Sequence, residues 1–356
     1  MNQDKLSHIN QNIGPILVTG HTGFKGTWLT MLLEHYGVEV VGLSLPAEPE
    51  SLYARANRLG KVEEEFIDIR DQNKVKSFVG KIKPRVIMHL AAQSLVLESY
   101  KHPKHTFDTN VGGLINVLDV FVQTDNVEVM LVSTTDKVYE NKGVGRSFVE
   151  NDPLRGKDPY SASKVAAENA IFAWRELIKS DTQKKLLTAR AGNVIGGGDF
   201  SKNRLIPDLV RAFATNSKVE IRNPRSTRPW QHVLDPITGY LRMVNHALNG
   251  NELEILNFGP TEGSLSVKEV VEIATENWQS DSKISYGEDS SDLEARSLEL
   301  NSSLARKALD WKPIWTQQEA VIESISWWKD VLINGIDAHE RCKSDMNKIS
   351  NLDKLI

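Results

Sequence analysis

Short apolar runs alternate along the chain with longer stretches in which apolar residues recur every three or four positions. Ile16–Thr19, Val38–Leu45, Glu65–Ile67, Arg85–Leu90, Glu128–Ser133 and Lys185–Arg190 are brief, β-branched and bounded by turn formers, and they predict six strands. Between them, Lys25–Tyr36, Gln72–Ile82, Thr106–Gln123 and Ser161–Ser180 carry helical periodicity, and Gly37 stops the first helix. Strands and helices taken in turn predict an α/β fold: a doubly wound parallel sheet whose ligands gather at the carboxyl ends of its strands.

Beyond Arg190 the texture changes. Loops rich in Gly, Pro and Asn appear, and six of the eight tryptophans lie here (Trp230, Trp278, Trp311, Trp315, Trp327, Trp328), which predicts a smaller mixed α/β C-terminal domain for substrate. The expected division is 1–193 for the first domain, with the helical stretch 233–250 packing back onto it. The second would be built from 194–232 and 251–330, and 331–356 would form a polar, loosely held tail.

Composition narrows the class of function. With 356 residues, 40% of them hydrophobic and 25% charged, the chain is of enzyme size and globular type. A net charge of -4 offers no footprint for nucleic acid or an anionic membrane. The one cysteine, Cys342, forms neither an internal disulfide nor a metal cluster and fits a reducing compartment. The leader before Gly14 is polar, and no run approaches the roughly 18 apolar residues of a membrane span; a cytoplasmic protein is expected. His102 and His105 are spaced like metal ligands, but Pro103 lies between them and no carboxylate accompanies them, so no metal is expected.

The strand Ile16–Thr19 runs into Gly20-His21-Thr22-Gly23-Phe24-Lys25-Gly26 and then a helix. Glycines there permit a tight turn and close backbone approach to a pyrophosphate, and the helix N-terminus supplies free N–H groups. This places a dinucleotide on a Rossmann-type sheet. Ser44 ends the second strand, with Glu48 and Glu50 following and Arg55 the first basic residue after it, so NAD is expected rather than NADP. Leu90, Ala91 and Ala92 close the fourth strand with little bulk, which lets backbone lie against the cofactor. Asn110 is a polar residue in an otherwise apolar helix, with a structural or a cofactor-side role.

Tyr160 and Lys164 stand four apart on one helix face. A neighbouring ammonium lowers a phenol's pKa and prepares it to take a proton from an alcohol. The strand ending Ser133-Thr134-Thr135 continues into Asp136-Lys137, an acid and a base that a plain dehydrogenase would not need.

In the glycine spacing, the Tyr-x-x-x-Lys helix and the Ser/Thr strand end, the chain resembles the extended short-chain dehydrogenase/reductase superfamily. In Thr134–Asn141, 152–164, Ala189–Asp199 and 228–233 it resembles the nucleotide-sugar 4,6-dehydratases, and through Lys137 the group acting on CDP-glucose, over about residues 14–330. The resemblance implies that Tyr160 deprotonates the C4 hydroxyl while NAD accepts the C4 hydride, with Thr135 on the C4 oxygen. Lys137 is then the base at C5, Asp136 protonates the departing C6 hydroxyl, and the hydride returns to C6. Lys164 would bind the nicotinamide ribose, Ser133 would sit on the cofactor side, and Asp68 and Ile69 would meet the adenine. Gln93, Asn193, Arg204, Arg228, Asn257 and Arg296 are the implied contacts of the nucleotide sugar. Leu97 and Leu293 stand where these enzymes commonly carry Arg and His. A homodimer or homotetramer is implied. A nucleotide-sugar 4-epimerase would share Tyr160 and Lys164 but not the acid–base pair, and a silent dinucleotide sensor would not need to keep both Tyr and Lys.

Overall fold

The computed structural model describes residues 14–143, 145–181, 183–287 and 297–352. Seven parallel strands form the main sheet. β1 (Ile16–Thr19), β2 (Val40–Ser44), β3 (Glu63–Phe66), β4 (Val86–His89), β5 (Val129–Ser133) and β6 (Lys185–Ala191) are joined by a seventh, Ile255–Phe258. In space the order is Ile255–Phe258, β6, β5, β4, β1, β2, β3. The winding reverses between β1 and β4, which pair directly with Thr19 opposite His89, and the crevice of such a sheet opens at that reversal.

Successive side chains on each strand point to opposite faces. Ile16, Val18, Val86, Met88, Val129 and Leu131 join one buried cluster, while Leu17, Ile87, Met130 and Val132 join the other. That double burial explains why these strands read as continuous apolar runs. β3 is the exception, an edge whose Glu63, Glu64 and Glu65 discourage further strand pairing.

The seventh strand lies in the range assigned above to the second domain, and its pairing with β6 sets Ile255 against Thr188 and Phe258 against Ala191. The helix Leu234–Leu248 packs on β5 and β6. Among the described residues, three two-stranded pairs make up the rest: Asn193–Ile195 with Trp230–His232, Thr227–Arg228 with Leu265–Ser266, and Val219–Ile221 with Ile284–Tyr286. The tryptophans do not form a separate core. Trp28, on the helix α1 (Phe24–His35), donates to the Gly197 carbonyl at 3.0 Å and belongs to the same buried cluster as Trp230, Trp278, Trp311, Trp315, Trp327 and Trp328.

The expected loose tail is instead a helix, Ala338–Leu352. It buries Ala338, Cys342, Met346 and Ile349, residues spaced to share one helical face. Arg341 pairs with Asp330 at 2.8 Å and also with Asp345, which accounts for polar residues in a packed segment. Among the described residues no helix is long and apolar enough to cross a membrane.

Candidate active site

The glycine loop follows β1 directly, and its crowding shows why these residues are glycines. A Cβ at Gly20 would come within 2.7 Å of the Ala91 nitrogen, and one at Gly26 within 2.1 Å of the Gly20 carbonyl oxygen. Gly20 also adopts φ 76°, a conformation other residues avoid. Gly23 caps α1 without a side-chain hydrogen bond, leaving the first N–H groups of the helix for a ligand. Thr22 Oγ1 lies 2.8 Å from Ser44 Oγ and donates to the Leu45 carbonyl at 3.0 Å, tying the loop to the end of β2.

This loop forms one wall of a cavity of about 1220 Å³ that runs past the carboxyl ends of β1, β4 and β5 to the segment 199–230. Such a volume exceeds the usual size of a single small-molecule site and suits a dinucleotide with a second ligand beyond it. Gly20, Thr22, Gly23, Phe24, Lys25, Gly26, Ser44, Asp68, Ile69, Leu90, Ala91, Ala92, Gln93, Ser133, Thr135, Lys137, Tyr160, Lys164, Asn193, Arg204 and Arg228 all line it.

The residues thus fit a dinucleotide: a cradle closed to any Cβ, an uncapped helix start, and a small-residue strand end facing it. Asp68 is occupied by Arg70, whose Nε donates to it at 3.0 Å, and this ion pair holds the Asp68 carboxyl below its ordinary range. Arg55 does not reach the cavity. Its guanidinium stacks 4.6 Å over Phe200 and its Nε donates to the Glu50 carbonyl, so the acidic and hydroxyl character of the β2 end is not offset by this arginine.

Three expected residues stand differently. Asn110 is buried in a wide π-type turn, Asp108–Gly113, within the stretch read as one helix from Thr106 to Gln123. Its amide accepts from the Gln93 N–H at 2.8 Å and donates to the Gln93 carbonyl at 3.0 Å and Ser163 Oγ at 2.9 Å; it supports the cavity wall from behind. Asn257 is fully buried, taking a hydrogen bond from the Tyr139 hydroxyl at 2.7 Å and donating to the Phe148 carbonyl. It belongs to the edge strand and does not line the cavity. The Gln93 side chain is spent on the Leu95 backbone of its own loop and on Thr106 of the helix Pro103–Phe107. Arg296 and Leu293 lie outside the described residues.

The helix Pro159–Leu177 starts on Asp158, whose carboxylate accepts from the Ser161 N–H, with Pro159 at its first position. This start brings Tyr160 and Lys164 to the cavity, both nearly buried. Burial raises the Tyr160 phenol to about 12, against the pull of a hydrogen bond with Thr135 and of the Arg204 charge. A cation the sequence did not connect with Tyr160, Arg204, thus acts on the phenol. Arg204 itself is bonded to Asp199 at 2.9 Å and Ser94 Oγ at 3.1 Å, so it spans the cavity. Burial, and then the Lys25 charge, lower the Lys164 ammonium to about 8.

Asp136 and Lys137 occupy a single 3-10 turn after β5. Asp136 is fully buried; its Oδ1 accepts from Thr135 at 3.1 Å and lies 3.6 Å from Lys137 Nζ. Its Oδ2 has no hydrogen-bond partner among the described residues, an uncommon state for a buried carboxyl that calls for a role. Lys137 Nζ donates to Asn193 Oδ1 at 3.3 Å.

Two participants were missed in the sequence. Tyr240, on the helix Leu234–Leu248, takes a hydrogen bond from Lys25 Nζ at 3.2 Å and meets Ser133 Oγ at 3.3 Å; no motif surrounds it, and only the fold brings it here. Asp199 follows the Gly196-Gly197-Gly198 run and orients Arg204. Among the described residues no cluster of His, Cys, Asp and Glu could hold a metal ion.

A family model described as "NAD dependent epimerase/dehydratase family" matches residues 16–259. The CDP-glucose 4,6-dehydratase of Salmonella typhimurium is 38% identical over 88% of this chain and 90% of its own length. Among solved structures, the UDP-glucose 4-epimerase of Thermotoga maritima superposes with a TM-score of 0.79 at 19% identity, covering 89% of this chain and 99% of that one. The dTDP-glucose 4,6-dehydratase of Bacillus anthracis, solved with NAD, superposes with a TM-score of 0.74 at 22% identity, covering 89% and 97%. A common fold thus carries both epimerases and dehydratases, while the glycine cradle and the Tyr160–Lys164 helix lie within the matched residues: the chain belongs to the NAD dependent epimerase/dehydratase family.

Proposed function

We propose that the chain converts CDP-glucose to CDP-4-keto-6-deoxyglucose with loss of water. The observation that carries this reading is the turn bearing Asp136 and Lys137: an acid with an unpartnered buried oxygen lies 3.6 Å from a base, directly behind a cavity wall formed by Thr135, Lys137 and Tyr160. A 4-epimerase has no use for that pair. The 38% identical relative supports the choice of CDP-glucose.

NAD, held on the glycine loop, supplies a hydride acceptor that is regenerated within each turnover. The protein's own part is to move protons. Tyr160 takes the proton of the C4 hydroxyl while Thr135 donates to the C4 oxygen, and oxidation at C4 acidifies the C5 hydrogen. Lys137 removes that C5 proton, and Asp136 gives a proton to the C6 hydroxyl, which leaves as water. Arg204 and Arg228, both lining the cavity, are read as the donors to the two phosphates, and Asn193 orients Lys137.

Incubation with CDP-, UDP-, dTDP- and GDP-glucose tests the reading. CDP-glucose is expected to give a 4-keto-6-deoxy product fastest; release of a C4 epimer, or no product from any of the four, overturns it. The pH profile carries a further expectation. The Lys164 ammonium is present below about 8 and is lost as pH rises through that value, so turnover should fall above about pH 8, whereas a profile still rising at pH 9 would remove Lys164's charge from the reaction.

The chain is read as a cytoplasmic homodimer or homotetramer. The helix Pro159–Leu177 leaves Phe172 62% and Leu177 69% exposed, with Phe107 and Tyr100 also open nearby in the chain's helical layer, and apolar side chains of this size favour a protein partner over water. Light scattering should give two or four times the chain mass for the wild type and less for Phe172→Glu.

A further inference from the structure

The turn that carries Asp136 and Lys137 is anchored at both ends, by different devices. Upstream, the Thr134 N–H donates to the Ala189 carbonyl at 2.8 Å and Thr134 Oγ1 donates to Glu168 Oε1 at 2.7 Å. Downstream the anchor is Tyr139, the residue that closes the turn. Its hydroxyl accepts from Arg190 Nη1 at 2.9 Å and donates to Asn257 Oδ1 at 2.7 Å.

These contacts are all buried, and they join distant parts of the chain. Arg190 of β6 meets Glu168, one helical turn past Lys164, through Nε at 2.8 Å and Nη2 at 2.5 Å. Against the downward pull of burial, this bidentate pair holds the Arg190 guanidinium above its ordinary value, so it stays charged. The same guanidinium stacks 5.0 Å from the Tyr139 ring, whose other neighbour is Phe148, parallel to it at 4.9 Å. A buried charge–hydroxyl–amide chain of this kind has little freedom to rearrange.

Tyr139 lies outside the described cavity lining and its hydroxyl is taken up by Arg190 and Asn257, so it acts through the turn. We infer that Tyr139 is a positioning residue for the dehydration half of the reaction: its hydroxyl, fixed between Arg190 and Asn257, holds Asp136 and Lys137 in place. C4 oxidation relies on Tyr160, carried by a separate helix, and on Thr135, which adjoins the upstream anchor. The inference rests on the acid–base reading of Asp136 and Lys137 given above.

Tyr139→Phe removes two hydrogen bonds and keeps the ring stack and the Glu168–Arg190 pair. Misplacement of a reacting group by about 1 Å costs on the order of 10²-fold in rate. With CDP-glucose in a single turnover, the variant should build reduced cofactor, seen at 340 nm, at the wild-type rate and then hold it. Exchange of the C5 hydrogen with deuterated solvent and formation of the deoxy product should both slow by about 10- to 100-fold, with the KM for CDP-glucose little changed. Phe148→Leu is the control, since it loosens the stack without touching the hydroxyl; it should lower Tm and leave the 340 nm trace as in the wild type.

The inference is overturned if Tyr139→Phe matches the wild type in both halves, if it loses C4 oxidation in proportion to dehydration, or if Phe148→Leu gives the same 340 nm signature. A wild type that dehydrates CDP-glucose beside an unaffected Tyr139→Phe rejects the positioning role alone. A wild type that exchanges no C5 hydrogen and dehydrates no nucleotide-glucose rejects the reading of Asp136 and Lys137, and the inference with it.

Discussion

Tyr160→Phe is expected to lower turnover of CDP-glucose by about 10²- to 10⁴-fold, the usual worth of a positioned acid–base group. The phenol faces the cavity from the catalytic helix, within hydrogen-bond reach of Thr135, and the Phe ring keeps its volume. Binding of NAD, measured by calorimetric titration of cofactor-free protein, should change little, because the glycine loop and Lys164 are untouched. The high phenol value set by burial sharpens the expectation: a buried tyrosine at about 12 accepts a proton only with help from charges that the bound ligands and Arg204 bring close. Near-normal turnover in Tyr160→Phe would move the chemistry elsewhere.

Asp136→Asn should stop the reaction halfway. The amide keeps the shape and still accepts from Thr135, but it has no proton to give to the C6 hydroxyl. C4 oxidation needs no such proton, so the variant should accumulate enzyme-bound reduced cofactor absorbing near 340 nm while product formation drops by about 10²-fold or more. Lys137→Met should likewise spare C4 oxidation and slow solvent exchange at C5. If Asp136→Asn forms product at the wild-type rate, the buried carboxyl is a structural group and its unpartnered oxygen needs another account.

The parts of the site that depend on local spacing were legible in the sequence. Gly20, Gly23 and Gly26 sit three apart where strand gives way to helix, and Tyr160 and Lys164 sit one helical turn apart; both patterns carry their geometry with them. What depends on pairing between distant segments was not legible. Nothing near Asn257 announces that its strand joins β6, so its amide was assigned to the nucleotide sugar when it is buried against Tyr139. Asn110 was readable as an oddity, and only the fold shows that its partners are the Gln93 backbone and Ser163. The final helix was misjudged because its average composition is polar, although Ala338, Cys342, Met346 and Ile349 repeat at the helical interval. The electrostatics of Tyr160 were legible only in part for a similar reason: sequence spacing offers Lys164, while the tertiary fold also brings Arg204 across the cavity.

The seventh strand has a consequence for how the chain is made. β6 is complete once residue 191 has emerged from the ribosome, yet its outer partner, Ile255–Phe258, follows more than sixty residues later. At synthesis speeds of about 5–20 residues per second, β6 waits several seconds with one row of backbone N–H and C=O groups unpaired. An uncovered strand edge is a template for other chains, so the nascent first half is its own hazard until the C-terminal half arrives. The same dependence makes a fragment ending near residue 193 a poor candidate for independent folding, even though it holds the whole glycine loop and the catalytic helix.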